Sequence, residues 1–104
     1  MEANPRPIAY DLSKLTDAER EREQELLMEI RNAALEISEI PSGYALRFSG
    51  DSSIVLRLAE FITLERLCCP FLNFERLAAE GGPVWLIATG RKGVKQFLKM
   101  LLCQ

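Results

Sequence analysis

The chain writes one pattern twice, and that repetition does most to limit what it can fold into. Leu35 to Ile40 alternates in polarity, and Pro41-Ser42-Gly43 then signals a turn. Tyr44, Leu46 and Phe48 follow on one face, opposite Ala45 and Arg47, with the period of a half-buried strand. Ser49-Gly50-Asp51-Ser52 offers helix N-caps. Ile54, Val55, Leu58, Ala59, Phe61 and Ile62 then form a wide apolar stripe, until Pro70 forbids further helix. About forty residues on, the punctuation returns. A strand over Phe71 to Ala79 is followed by a turn at Glu80-Gly81-Gly82-Pro83. A second strand then alternates Val84, Leu86 and Ala88 with Trp85, Ile87 and Thr89. A helix from near Arg91 carries Val94, Phe97, Leu98, Leu101 and Leu102. Leu46 superposes on Leu86, Ile54 on Val94 and Leu58 on Leu98.

Neither hairpin-plus-helix unit can bury its own apolar faces, whereas the two together can. The expected fold is therefore α+β: an N-terminal helix, then two ββα units forming a four-stranded antiparallel sheet with both helices on one face. At 104 residues the chain fits a single domain. Its parts are an irregular arm over 1–14, the N-terminal helix over 15–34, the first unit over 35–69 and the second over 70–104. Thr16 with Glu19 three positions later is a capping box for the first helix. The charged front of that helix, Asp17 to Glu25, reads as a solvated face. Leu26, Leu27, Ile30, Ala33 and Ala34 anchor its rear, against a sheet edge or a second copy. Trp85 and Ile87 fall opposite Leu86. If the Leu86 side is the core, they leave an apolar patch on the open face, which points to a homodimer. The reverse register would bury Trp85 instead.

Several function classes are excluded by composition. The chain has no histidine, which removes the usual general base, the Ser-His and Cys-His nucleophile pairs and the commonest ligand of catalytic zinc. A net charge of −2, with no basic stripe among the aromatics, gives no footing for nucleic acid. No apolar run reaches the ~20 residues of a membrane span, and Met1 to Pro5 has no signal-peptide pattern. Three cysteines, two of them adjacent, do not make a disulfide framework, so free thiols in a reducing cytoplasm are expected.

The residues richest in chemistry are Glu65-Arg66-Leu67-Cys68-Cys69-Pro70-Phe71, where the second helix should stop. Glu65 precedes the two thiols by three and four positions, spacings that share one helix face. It also continues the line of Ile54, Leu58 and Phe61, so it either snorkels to water or is buried with a raised pKa. The thiols themselves have three readings. They can be small core side chains. They can be thiolates for a soft metal or metalloid, with Glu65 as third ligand. They can also form a vicinal disulfide, strained because adjacent Cα atoms lie ~3.8 Å apart. Two thiols alone are too few for a closed tetrahedral site, so the metal reading asks a partner chain or a small thiol for the rest. Cys103 is poorly placed to help, at the far end of an antiparallel helix. The negative end of the helix dipole should hold both thiols protonated unless Arg66 or Arg76 lies close. An enzyme has little support, because its nucleophile would sit at that unfavourable end. The alternative to metal binding is a non-catalytic interaction or assembly module with structural cysteines.

The run Glu65-x-x-Cys68-Cys69-Pro70-Phe71, with Pro83-Val84-Trp85-Leu86 and Thr89-Gly90-x-x-Gly93-Val94-x-x-Phe97-Leu98, resembles a group of small uncharacterised bacterial proteins. The similarity extends to Asp11-Leu12 and the Arg-rich start of the first helix. The resemblance implies an association with heavy-metal or stress-responsive gene neighbourhoods and a soft metal at Cys68 and Cys69, but no established activity. Many members carry a Cys or His near the position of Tyr10 or in the first helix. This chain has Tyr10 and no histidine there.

Overall fold

The computed structural model describes Ile8, Ala9 and residues 11–103. The expectations for residues 1–7 and for Tyr10 lie outside the described residues. A 3-10 turn at Leu12–Lys14 leads into α1 (Asp17–Ala33). There follow β1 (Glu36–Ile40), β2 (Gly43–Phe48), α2 (Ser52–Cys68), β3 (Asn73–Ala78), β4 (Val84–Thr89) and α3 (Val94–Leu102). The fold is α+β, with three α-helices and a four-stranded antiparallel sheet in the order β1-β2-β4-β3.

Leu46 pairs directly with Leu86 across the two central strands. The residues that superpose under the forty-residue shift therefore face each other at the sheet centre, as in a pseudo-twofold arrangement of two halves. The edges depart from that symmetry. Ile37 is the β1 partner of Leu46, whereas Arg76 is the β3 partner of Leu86. The longer turn between β3 and β4 accounts for the one-residue slip, and such a slip exchanges side chains between faces.

Alternation decides which face is buried. Tyr44, Leu46, Phe48, Val84, Leu86 and Ala88 all point into the core, and Leu46, Leu86 and Ala88 are wholly shielded. Trp85, Ile87 and Thr89 are half-buried on the opposite face. The register that would have buried Trp85 is thus not the one adopted. Glu39, Tyr44, Ala88 and Phe74 form one row across the four strands. At its ends, Lys95 of α3 pairs with Glu39 at 2.6 Å and Phe61 of α2 meets the Phe74 ring edge-on at 6.2 Å. Ile54, Leu58 and Phe61 from α2, with Val94, Leu98, Leu101 and Leu102 from α3, complete the core. Each such side chain, fully buried, contributes about 1.5–3 kcal/mol.

Four details differ from the sequence expectations. The arm is not irregular throughout: the Asp11 carboxylate accepts the Ser13 N–H and starts the 3-10 turn, and Leu15 enters the core. The first helix has the expected capping box, with Thr16 and Glu19 exchanging bonds of 2.9 and 3.1 Å, but its main partner is α2. Arg22 forks onto Glu60 through Nε and Nη2, each at 2.9 Å, Arg57 meets Glu29 at 3.1 Å, and Arg31 donates to the Leu101 carbonyl. The charged front of α1 is not all solvated, because Glu23 is completely buried. Finally, α3 begins at Val94 rather than near Arg91. Gly93, at φ 98°, holds a left-handed N-cap conformation that delays the helix. Among the described residues, no helix is long and apolar enough to cross a membrane.

Candidate metal centre

The site forms because α2 is forced to stop. Pro70 denies Cys69 helical geometry, and Cys69 leaves the helix at φ −136° and ψ 63° while its N–H still reaches the Glu65 carbonyl at 2.7 Å. Cys68 remains in the last turn, and the two sulphurs come together at 3.5 Å. Glu65, one turn earlier on the same face, brings Oε2 to 3.4 Å from the Cys68 sulphur. The donor atoms of Glu65, Cys68 and Cys69 all lie within 4.8 Å of one another.

All three side chains are shielded from water, with Glu65, Cys68 and Cys69 each 0% exposed. Glu65 therefore does not snorkel. Phe71 and Leu72 are buried in the same core cluster as the thiols, and Phe71 stands edge-on to Phe97 at 5.1 Å. The segment before α1 lies across the helix end, where the Asp11 N–H donates to the Cys68 carbonyl at 2.9 Å. That bond satisfies one of the carbonyls a helix C-terminus leaves open.

Sequence reasoning missed the residue that completes the setting. Glu23 of α1 is also 0% exposed and helps to raise the Glu65 carboxyl. Gln24 also donates to Glu23 Oε1 at 3.0 Å. The available signal was faint: Glu23 is three residues before Leu26 and four before Leu27, the spacing of one helix face. A Glu/Arg run hides such a position, because Arg20, Glu21, Arg22 and Glu25 around it are all charged.

Burial pushes the Glu65 carboxyl up to about 10, and the hydrogen bond and charge of Glu23 add to the effect, followed by Cys68. Glu65 thus stays protonated at neutral pH. The Cys68 thiol is instead held below the usual thiol value, first by the hydrogen bond with Cys69 and also by Glu65, against the cost of burial. Cys69, on the other side of that bond, is pushed up by it and by burial. The two thiols are thus shifted in opposite directions by local hydrogen bonding and burial, rather than raised alike by the helix dipole. Neither arginine brings this about. Arg66 is exposed, and Arg76 donates to the Val55 carbonyl at the other end of α2.

The two thiols and one carboxyl have the spacing of ligands around a small ion. Two thiolates ~2.3 Å from a tetrahedral ion lie about 3.8 Å apart, and a thiolate and a carboxylate oxygen about 3.5 Å. The observed 3.5 and 3.4 Å are close to both edges. Cys103 is exposed at the end of α3 and takes no part in the group. Comparison with protein-family models finds no match, and comparison with curated proteins and with solved structures finds none either.

Proposed function

We propose that this chain is a small thiol-bearing protein that binds a soft metal ion or metalloid through Cys68 and Cys69, with Glu65 as third ligand. The observation that carries this reading is the convergence of those three donor atoms within 4.8 Å at a buried helix end. Thiolates select soft and borderline ions, and the free thiols suit a reducing compartment such as the cytoplasm. The resemblance to small bacterial proteins from heavy-metal and stress-responsive gene neighbourhoods supports the same conclusion. We also read the fold as two ββα halves whose helices α2 and α3 share one sheet face, and the open face with Trp85 and Ile87 as the contact between two copies of the chain.

Complete burial of Cys68 and Cys69 favours a second reading, in which they are structural side chains of an interaction module. Native mass spectrometry of the reduced protein separates the two. The protein is measured with and without zinc, cadmium, mercuric ion and arsenite, beside the Cys68→Ser/Cys69→Ser double variant. Stoichiometric adducts that vanish in the double variant establish the thiolate site. No adduct with any of the four, in a protein that remains folded, overturns it in favour of the structural reading.

A further inference from the structure

Among the described residues, the donor group at the end of α2 closes at three members, Glu65, Cys68 and Cys69, all shielded from water. Cys103, the remaining thiol, is exposed and lies outside the group. A tetrahedral ion needs a fourth donor from beyond this set. A pyramidal centre, with three bonds and a lone pair, is complete with three.

Charge balance favours the same kind of centre. Two thiolates and a carboxylate bring three negative charges to whatever they bind. A divalent ion leaves one of them uncompensated in a shielded site, and an uncompensated buried charge is strongly destabilising. Arg66, the nearest basic residue in sequence, is exposed. A trivalent centre with the same three donors is neutral. The sulphurs fit it as well. At bonds of ~2.3 Å they lie about 3.8 Å apart around a tetrahedral centre, but about 3.3–3.5 Å apart at the narrower angles of a pyramidal one. The observed separation is 3.5 Å.

We infer that the occupant is a trivalent metalloid of the arsenite class, with Cys68, Cys69 and Glu65 as the three substituents of one pyramidal centre within a single chain. This rests on the metal-or-metalloid reading of the site and makes it more specific. Arsenous acid is uncharged in neutral water, so its entry into the covered site strips no ion of its hydration. Binding is a condensation. The two S–H groups and the carboxyl O–H give their hydrogens to the three arsenic hydroxyls, which leave as three waters. Two As–S bonds and one As–O bond form, arsenic stays trivalent and no electron is transferred. Water would cleave the bond between arsenic and a carboxylate, and the burial of Glu65 keeps water from it.

The test uses the full-length reduced chain with arsenite, read by native mass spectrometry and by X-ray absorption at arsenic. The expected result is one arsenic per chain, a mass gain of one arsenous acid less three waters, and a first shell of two sulphurs and one oxygen. Excess zinc should not displace it. Glu65→Gln keeps the shape but has no carboxyl O–H to condense. Its adduct should retain one hydroxyl and so weigh one water more, relative to its own apo mass. A wild-type adduct that has lost only two waters overturns the inference. So does a first shell of three sulphurs, whether the third comes from Cys103, a second chain or a small thiol. Both readouts come from the wild-type chain and need no variant. Zinc or cadmium adducts without an arsenite adduct overturn the inference and leave the thiolate site standing. A folded protein that takes up none of the three overturns both.

Discussion

Glu65 Oε2 and Cys68 Sγ lie 3.4 Å apart on one turn of α2, and neither residue reaches water. A carboxyl and a thiol that meet in an apolar interior cannot both be ionised at small cost, because each charge loses its hydration. They keep a proton between them, and the native state pays for any pH that would remove it. The stability of the metal-free protein should therefore report on this contact.

The sign follows from Glu65, whose folded value is raised from 4.5 to about 10. The unfolded chain gives up that proton near 4.5, while the folded protein keeps it. Stability is complete below 4.5 and declines as pH rises towards 10, by at most about 1.4 kcal/mol per pH unit for one proton. Cys68, held below the usual thiol value, opposes the trend near the alkaline end, so the clearest window is pH 5–7. Urea unfolding across that window should show stability falling with pH, and Glu65→Gln should flatten the slope. A wild-type profile without slope would mean that Glu65 is ionised in the fold.

Thiol reactivity should divide the cysteines into two classes. Cys103 is exposed and should react at once with a thiol reagent, whereas Cys68 and Cys69 are fully covered. For a site that admits an ion, the pair should react in the native protein by local opening, well below the urea concentration of global unfolding. Opening must break the bond from the Asp11 N–H to the Cys68 carbonyl. Zinc should slow the buried pair and leave Cys103 unchanged. Reaction of the pair only in step with global unfolding, followed by mass spectrometry, would favour structural cysteines.

The two halves should be energetically coupled where they meet. Leu46 and Leu86 are direct cross-strand partners, each 0% exposed. Leu46→Ala and Leu86→Ala should each cost about 2–5 kcal/mol. As contacting residues they should show an interaction energy of about 0.5–3 kcal/mol in a double-mutant cycle. Additive losses in urea unfolding would mean that the two side chains relax independently.

Glycine at 93 should matter more than glycine at 81, although both have positive φ. Gly81, at 62°, sits in the ordinary left-handed well with open space around it, so Gly81→Ala should cost about 1–2 kcal/mol. Gly93 lies at 98°, outside that well, and an added Cβ would stand 3.0 Å from Ile8 Cδ1. Gly93→Ala should therefore lower the melting temperature more than Gly81→Ala. Equal losses would mean that the start of α3 readjusts freely.

Much of this architecture could be read from periodicity. Helix α2 runs over Ser52–Cys68, as its caps and Pro70 imply, and the alternation of Val84 to Thr89 identified the strand at the centre of the sheet. The thiol motif was legible too, because Glu65, Cys68 and Cys69 are close in sequence and helix geometry alone brings them together. Glu23 was not legible. Its position depends on how α1 lies against α2, a long-range packing choice that the charge run on α1 conceals. The delayed start of α3 was hidden for a similar reason: the backbone angle at Gly93, not any side chain, sets it.

The open sheet face provides the last prediction. Trp85 stands in one row with Glu36, Arg47 and Leu77, and Ile87 lies in the next. Leu77 is 53% exposed, Trp85 and Ile87 are half-buried, and no helix is needed on that side to complete the core. Arg47 is drawn to Glu36 at 3.0 Å, which leaves the Trp85 and Leu77 side of the row apolar. Apolar patches of this kind mark interfaces, and a face-to-face pair would shelter two of them at once. Sedimentation velocity over a dilution series should show the wild-type chain as a dimer at high concentration. Trp85→Thr keeps a strand-forming residue and should shift the protein to monomer. A wild-type chain that sediments as a monomer throughout removes the dimer. A dimer that survives Trp85→Thr moves its contact to another surface. Loss of zinc binding together with the dimer would show that the partner contributes to the site.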